Sequence, residues 1–168
     1  MNPTVLVAYA TRCGSTLEVA QAVAQDLKAR GYAAVVCAVD KVGELSAYQA
    51  VVLGSSVRFG RWLPEAVGFV RRLQAELKRL PTAFFTVHMQ NLGADAASRK
   101  NRLAYIDPVR AMVRPGAEAF FAGKLDIRRL SLGARMLCKL MNTANQDLRD
   151  WSAIHAWAQG IVLSRAKS

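Results

Sequence analysis

Apolar residues fall along the chain in two alternating rhythms. Residues 4–10 (Thr-Val-Leu-Val-Ala-Tyr-Ala), 33–39, 49–56, 82–88 and 117–123 are short runs with almost no polar interruption. A strand with one wet face alternates apolar and polar positions, so unbroken runs predict strands covered on both faces. Between them, apolar residues recur at helical spacing. One such stretch runs from Ser15 to about Arg30 and is stopped by Gly31. A second runs from Pro64, which suits a first turn, to about Leu80. A third covers 96–113, where Pro108 kinks the helix or starts a new turn, and a closing helix covers 148–165. Residues 40–47 read as a polar connection with a short helical turn, and 57–64 and 89–95 read as loops.

Strands alternating with helices predict the α/β class: a three-layer sandwich with a five-stranded parallel sheet and helices on both faces. The chain, 1–168, reads as a single domain with one basic helical insert at about 124–147. In such sheets ligands bind at the carboxyl ends of the strands, where the strand order reverses. The segments 11–16, 55–62 and 88–95 should all emerge at that edge.

Charge changes this picture more than composition does. The formal net charge is +11, which implies an anionic partner: nucleic acid, an anionic membrane, an acidic protein or a carboxylate-bearing substrate. No helix-turn-helix, zinc finger or aromatic RNP strand is present, so nucleic acid is not expected. Cys13, Cys37 and Cys138 form no CxxC pair, so neither a disulfide framework nor a metal site is expected. No apolar stretch has the length of a membrane span, and no signal peptide precedes the first strand, which points to a cytoplasmic protein.

Chemistry concentrates in Thr11-Arg-Cys-Gly-Ser-Thr16, where the first strand hands over to the first helix. Helix N-termini present free N–H groups to anions, and hydroxyls add donors, so this is a candidate phosphate cradle. The alternative is that Thr11 or Ser15 simply caps the helix. A dinucleotide GxGxxG, a P-loop, a cysteine-phosphatase loop with its arginine, and a receiver aspartate after the third strand are all missing.

The stretch 11–16 resembles the Thr-x-Thr-Gly-x-Thr phosphate loop of the flavodoxin family, with Tyr9 before it. Gly54-Ser-Ser-Val-Arg-Phe-Gly60 is similar to that family's second flavin loop. The resemblance implies a flavodoxin-like fold and FMN as cofactor. It places Thr11, Arg12, Cys13, Gly14, Ser15 and Thr16 at the phosphate, and Ser55, Ser56, Val57, Arg58, Phe59 and Gly60 along the ring. A third loop supplies His88, Met89, Gln90 and Asn91, but it lacks the family's acid and stacking tyrosine. Stacking is then left to Phe59, Trp62 or His88. The match is closer to the bacterial flavodoxin-like protoporphyrinogen dehydrogenases. These write the loops as Thr-Arg-x-Gly-x-Thr and Gly-x-Ser-x-Arg-x-Gly and carry a basic segment before an Asp-Trp pair, here Asp150-Trp151. That branch implies FMN-dependent oxidation of protoporphyrinogen IX to protoporphyrin IX with a quinone acceptor at the inner face of the cell membrane. The competing readings are an FMN electron carrier for a protein partner and a module that has lost its cofactor.

The insert adds a surface. Residues 130–141 can form a helix started by Ser131, with Leu132, Met136, Leu137, Leu140 and Met141 on one side. Arg135 and Lys139 fall on the other, and Arg128 and Arg129 precede it. These four cations are expected to hold an anionic membrane or substrate carboxylates; otherwise the helix packs on the core with its charges solvated. Arg58 is a candidate to face the flavin ring or a propionate, His88 lies at the ligand edge, and His155 sits among Trp151, Ile154 and Trp157 as a structural residue.

Overall fold

A computed structural model describes residues 2–163. The first half runs β1 (Thr4–Ala10), α1 (Ser15–Ala29), β2 (Ala33–Ala38), β3 (Ala50–Arg58), β4 (Arg61–Trp62), α2 (Pro64–Arg72) and α3 (Gln74–Leu77). The second half runs β5 (Thr82–His88), α4 (Ala96–Ala104), α5 (Asp107–Met112), β6 (Ala117–Ala122), β7 (Lys124–Leu125), α6 (Leu132–Leu140), β8 (Gln146–Asp147) and α7 (Trp151–Gly160). Five parallel strands lie in the order β2-β1-β3-β5-β6, with β4 paired antiparallel to the end of β3. The chain steps from β1 out to β2 and then crosses back to β3 on the other side of β1. The carboxyl ends of β1 and β3 therefore flank the reversal point, where loops diverge and leave a cleft.

The unbroken apolar runs have the predicted cause. Val5 and Val7 of β1 pack with Val19, Val23 and Leu27 of α1 and Ile154 of α7. Leu6 and Ala8 point the other way, to Phe69 and Val70 of α2 and Val109 of α5. A period of two in the strand thus feeds two cores, one on each face of the sheet. Helix α1 ends as its sequence requires. Gly31 adopts φ 88°, its N–H bonds the Lys28 carbonyl at 2.9 Å, and the Tyr32 N–H bonds the Leu27 carbonyl at 3.0 Å. Only glycine takes that left-handed position cheaply.

Several expected boundaries move. Residues 57–64 are not all loop: β3 runs on to Arg58, turns through Phe59 (φ 52°) and Gly60 (φ 70°), and returns as β4. Two consecutive positive φ angles make the two-residue turn that matches strand twist. The helix expected over 64–80 breaks at Leu73 (φ −108°), with Leu73 and Leu77 both buried. The helix over 96–113 divides at Tyr105 and Ile106, because Pro108 lacks an N–H and opens α5 instead. The closing helix starts at Trp151, not 148, since the Asp150 carboxylate caps it by accepting from the Ala153 N–H at 3.0 Å. It ends at Gly160, and Arg30 donates to the Ala158 and Ile161 carbonyls at 2.7 and 2.9 Å; the expected end at residue 165 lies outside the described residues. Gly54, quoted above as part of a ligand loop, has a packing reason: a Cβ there would meet the Phe85 ring at 1.9 Å.

Candidate functional site

The reversal point holds a cavity of about 770 Å³. Its floor is the loop after β1. The Thr11 hydroxyl accepts from the Gly14 N–H at 3.0 Å, which folds the loop back on itself and sets Gly14 at φ 84° as the N-cap of α1. Gly14 offers no side chain to cap the helix, so the first-turn N–H groups stay open to a ligand. Thr16 is fully buried, lines the cavity, and its hydroxyl has no partner among the described residues. The buried Ser56 hydroxyl on the β3 side is likewise unpartnered. Two orphaned hydroxyls in one cavity are costly unless a ligand or bound water satisfies them.

Most of the predicted site residues meet here: Thr11, Arg12, Cys13, Ser15, Thr16, Ser56, Val57, Arg58, Phe59, Gly60, His88, Met89 and Gln90 all line the cavity. Others stand behind it. The Ser55 hydroxyl is buried and accepts from the Leu63 N–H at 3.1 Å, so it braces the hairpin. Asn91 takes the turn position (φ 57°), donating to the Tyr105 hydroxyl and accepting from Asn101 and, through its carbonyl, Arg102. Arg12 leans out of the loop into a bidentate pair with Glu65 of α2, at 2.7 and 3.1 Å. Trp62, a stacking candidate, is core: its indole donates to the Thr86 hydroxyl at 2.9 Å and packs on Phe84. Phe59 lies at the rim, 90% exposed, with the Arg58 guanidinium 5.0 Å from its ring centre.

The far wall comes from residues that the sequence did not place at the site: Tyr105, Gly123, Lys124, Leu125, Leu130, Ser131 and Ala134. The clue was available for Gly123 and Lys124, which directly follow β6 at the ligand edge. The Lys124 N–H donates to the Ser15 hydroxyl at 3.1 Å, and a Cβ on Gly123 would stand 2.9 Å from Val87. The base of the insert is therefore pressed against the loop 11–16. Of the four insert cations, only Arg129 reaches the cavity.

The charged side chains that line the cavity, Arg12, Arg58, Lys124 and Arg129, are all basic. Burial pushes the Cys13 thiol up, Asp126 adds to that, and Arg129 and Arg58 only partly oppose it. Burial likewise pushes His88 down, against the hydrogen bond to the Gln90 carbonyl, with Arg102 helping to lower it. His88 Nδ1 lies 2.7 Å from that carbonyl. An oxygen there needs a donor, so Nδ1 carries the proton and Nε2 is left as the acceptor.

A pH dependence follows with a definite sign. The unfolded imidazole takes up its proton near about 6.5, the folded one only at lower pH. The unfolded state binds more protons in that window, so the contribution is present above about 6.5 and is lost as pH falls through the folded value. Denaturant unfolding of the flavin-free chain should therefore show stability falling from about pH 7 to pH 5. His88→Gln should flatten that slope; an unchanged slope would place the acid sensitivity elsewhere.

A family model of the flavodoxin domain matches residues 6–151. A protein of Escherichia coli named protoporphyrinogen IX dehydrogenase [quinone] is 29% identical, over 94% of this chain and 93% of that one. A protein of Leishmania major with the same name is 24% identical, over 94% of this chain and 74% of its own. Among solved structures, an archaeal flavodoxin superposes with a TM-score of 0.54 at 16% identity, covering 83% of this chain and 94% of that chain. A mutant flavodoxin of Fusobacterium nucleatum, bound to flavin mononucleotide, superposes with a TM-score of 0.53 at 15% identity, covering 72% and 70%.

Proposed function

The chain belongs to the flavodoxin domain family, and from that premise we propose that it is an FMN-dependent oxidoreductase that oxidises protoporphyrinogen IX and passes the electrons to a quinone. The observation that carries the reading is the cavity at the reversal point, with unpartnered Thr16 and Ser56 hydroxyls inside it and a basic insert for its far wall. A shuttle that meets its partner through an exposed flavin edge needs no such wall. The relatives named above support the substrate class over nine-tenths of the chain.

The loop 11–16 would hold the FMN phosphate, with the first-turn N–H groups of α1 and the Thr16 hydroxyl as donors. Ser56 to Gly60 and His88 to Gln90 would flank the ring. FMN, when bound, would supply a two-electron oxidant that a quinone can regenerate, used three times for each protoporphyrinogen oxidised. The protein's part is orientation and charge. Arg58 offers a planar fork to a propionate carboxylate, and neutral His88 can take a proton at Nε2. Leu125, Leu130 and Ala134 give an apolar face for a macrocycle to lie on.

Helix α6 supports a peripheral membrane contact. None of its residues is buried, and Leu132, Met136, Leu137, Leu140 and Met141 all point to solvent. The expectation that it packs on the core does not hold. An exposed apolar face with Arg128, Arg135 and Lys139 around it suits an anionic bilayer, where the quinone dissolves. Among the described residues no helix is long and apolar enough to cross a membrane.

Flavin-reconstituted protein, mixed anaerobically with protoporphyrinogen IX and a quinone, should generate porphyrin fluorescence at a rate proportional to protein. Flavin-loaded protein that forms no porphyrin, yet discharges electrons to a redox protein, would replace this reading with the electron-carrier one.

A further inference from the structure

We propose that Arg129, carried by the insert, is the cation that clamps the flavin phosphate, so that flavin binding docks the insert over its own site. The inference rests on the FMN reading above. A phosphomonoester carries about −1.5 to −2 charges near neutral pH. The loop's own arginine, Arg12, lines the cavity but is already engaged in two contacts with Glu65. Arg129 stands in its place. Its Nη1 donates to the Cys13 carbonyl at 3.4 Å, and a Cβ on Gly14 would lie 2.3 Å from the same nitrogen. Glycine at 14 therefore serves a close approach as well as the positive φ.

Arg129 is held there only loosely. Glu18 is 3.5 Å from Nη1 and Asp126 is 3.8 Å from Nε, both beyond a good charge-assisted hydrogen bond. Glu18 has a better partner in Arg149, at 2.5 Å. That arginine is 4% exposed and is also gripped by Asp147 at 2.6 Å. The fork of Arg129 thus has unfilled bonding capacity in the cavity that the fully buried, unpartnered Thr16 hydroxyl also lines. A phosphate held at the loop could draw on both.

The coupling to the insert is structural. The insert touches the loop at its base, through Lys124 and Ser15, and again at Arg129. No residue of helix α6 is fully buried; Ala134 and Cys138 are half-buried. Whatever tightens Arg129 on the loop orders the helix that follows, and by linkage an ordered insert tightens the flavin by the same factor.

The test titrates FMN and riboflavin, which lacks the phosphate, into flavin-free wild type, Arg129→Gln, Arg129→Lys and the charge-matched control Lys28→Gln. Flavin fluorescence quenching gives the affinities, and tryptic cleavage within residues 130–145 reports docking. Arg129→Gln should weaken FMN by about 10- to 100-fold and leave riboflavin unchanged. Lysine should restore part of the loss, and Lys28→Gln, on an exposed position of α1, should behave as wild type. FMN, but not riboflavin, should slow cleavage of the insert in wild type and not in Arg129→Gln. Equal FMN affinity in wild type and Arg129→Gln, or an equal loss for both flavins, overturns the clamp and leaves the FMN reading standing. A wild-type chain that binds neither flavin overturns the FMN reading and the clamp with it.

Discussion

Replacing Leu132 and Leu140 together by serine should weaken binding to anionic vesicles by about two to four orders of magnitude. Both side chains belong to α6 and are 81% and 84% exposed, so neither supports the fold and the unfolding midpoint should stay put. Each leucine that enters the acyl boundary contributes about 1.5–3 kcal/mol, and the pair therefore sets the range given. The cations act through a different force. Changing Arg128, Arg135 and Lys139 to glutamine should remove about 1 kcal/mol each at low salt and much less at high salt, because the attraction is screened within a Debye length. Vesicle cosedimentation across a salt series separates the two contributions. Wild-type binding by both variants at every salt concentration would leave α6 as a solvated cover for the cavity.

Thr16→Val should move two quantities in opposite directions. The change keeps the shape and deletes a buried hydroxyl that has no partner in the flavin-free chain. Losing a hydrogen bond to a charged acceptor costs about 1.5–3 kcal/mol, so FMN should bind about 10- to 150-fold more weakly. The flavin-free chain should meanwhile be as stable as wild type or more so, since an unsatisfied buried polar group has gone. A destabilised variant with unchanged FMN affinity would make Thr16 a structural residue and move the phosphate elsewhere.

The sheet was legible because its cause is local. Each run such as Thr4–Ala10 or Thr82–His88 is short, unbroken and rich in β-branched and aromatic residues, which separates a strand buried on both faces from a buried helix. The loops at the carboxyl edge followed from the order of strands and helices. What escaped depends on partners distant in sequence. Arg12 reads as a phosphate ligand, and nothing in its neighbourhood in sequence shows that Glu65, from α2, pairs with it. Arg129 reads as a surface charge until the insert folds back on Cys13. Trp62 reads as an aromatic of the flavin loop, but the turn at Phe59 and Gly60 returns the chain as a strand and buries the indole against Phe84. Tyr105 was hidden within a helix that Pro108 divides. The helical wheel of 130–141 gave the two faces of α6 correctly, but periodicity alone cannot say whether an apolar face meets the core or something outside it.

The most direct test of the central claim is a single-turnover mixing experiment. Protein loaded with oxidised FMN is mixed anaerobically with excess protoporphyrinogen IX in the absence of quinone, and flavin absorbance and porphyrin fluorescence are followed together. Protoporphyrinogen loses six electrons on the way to protoporphyrin and FMN accepts two, so the account predicts that the flavin bleaches on mixing with little porphyrin fluorescence, and that added quinone restores the flavin colour and brings the fluorescence up, with three quinones consumed for each porphyrin. Flavin that stays oxidised in the presence of protoporphyrinogen, or porphyrin that appears without flavin bleaching, would contradict it.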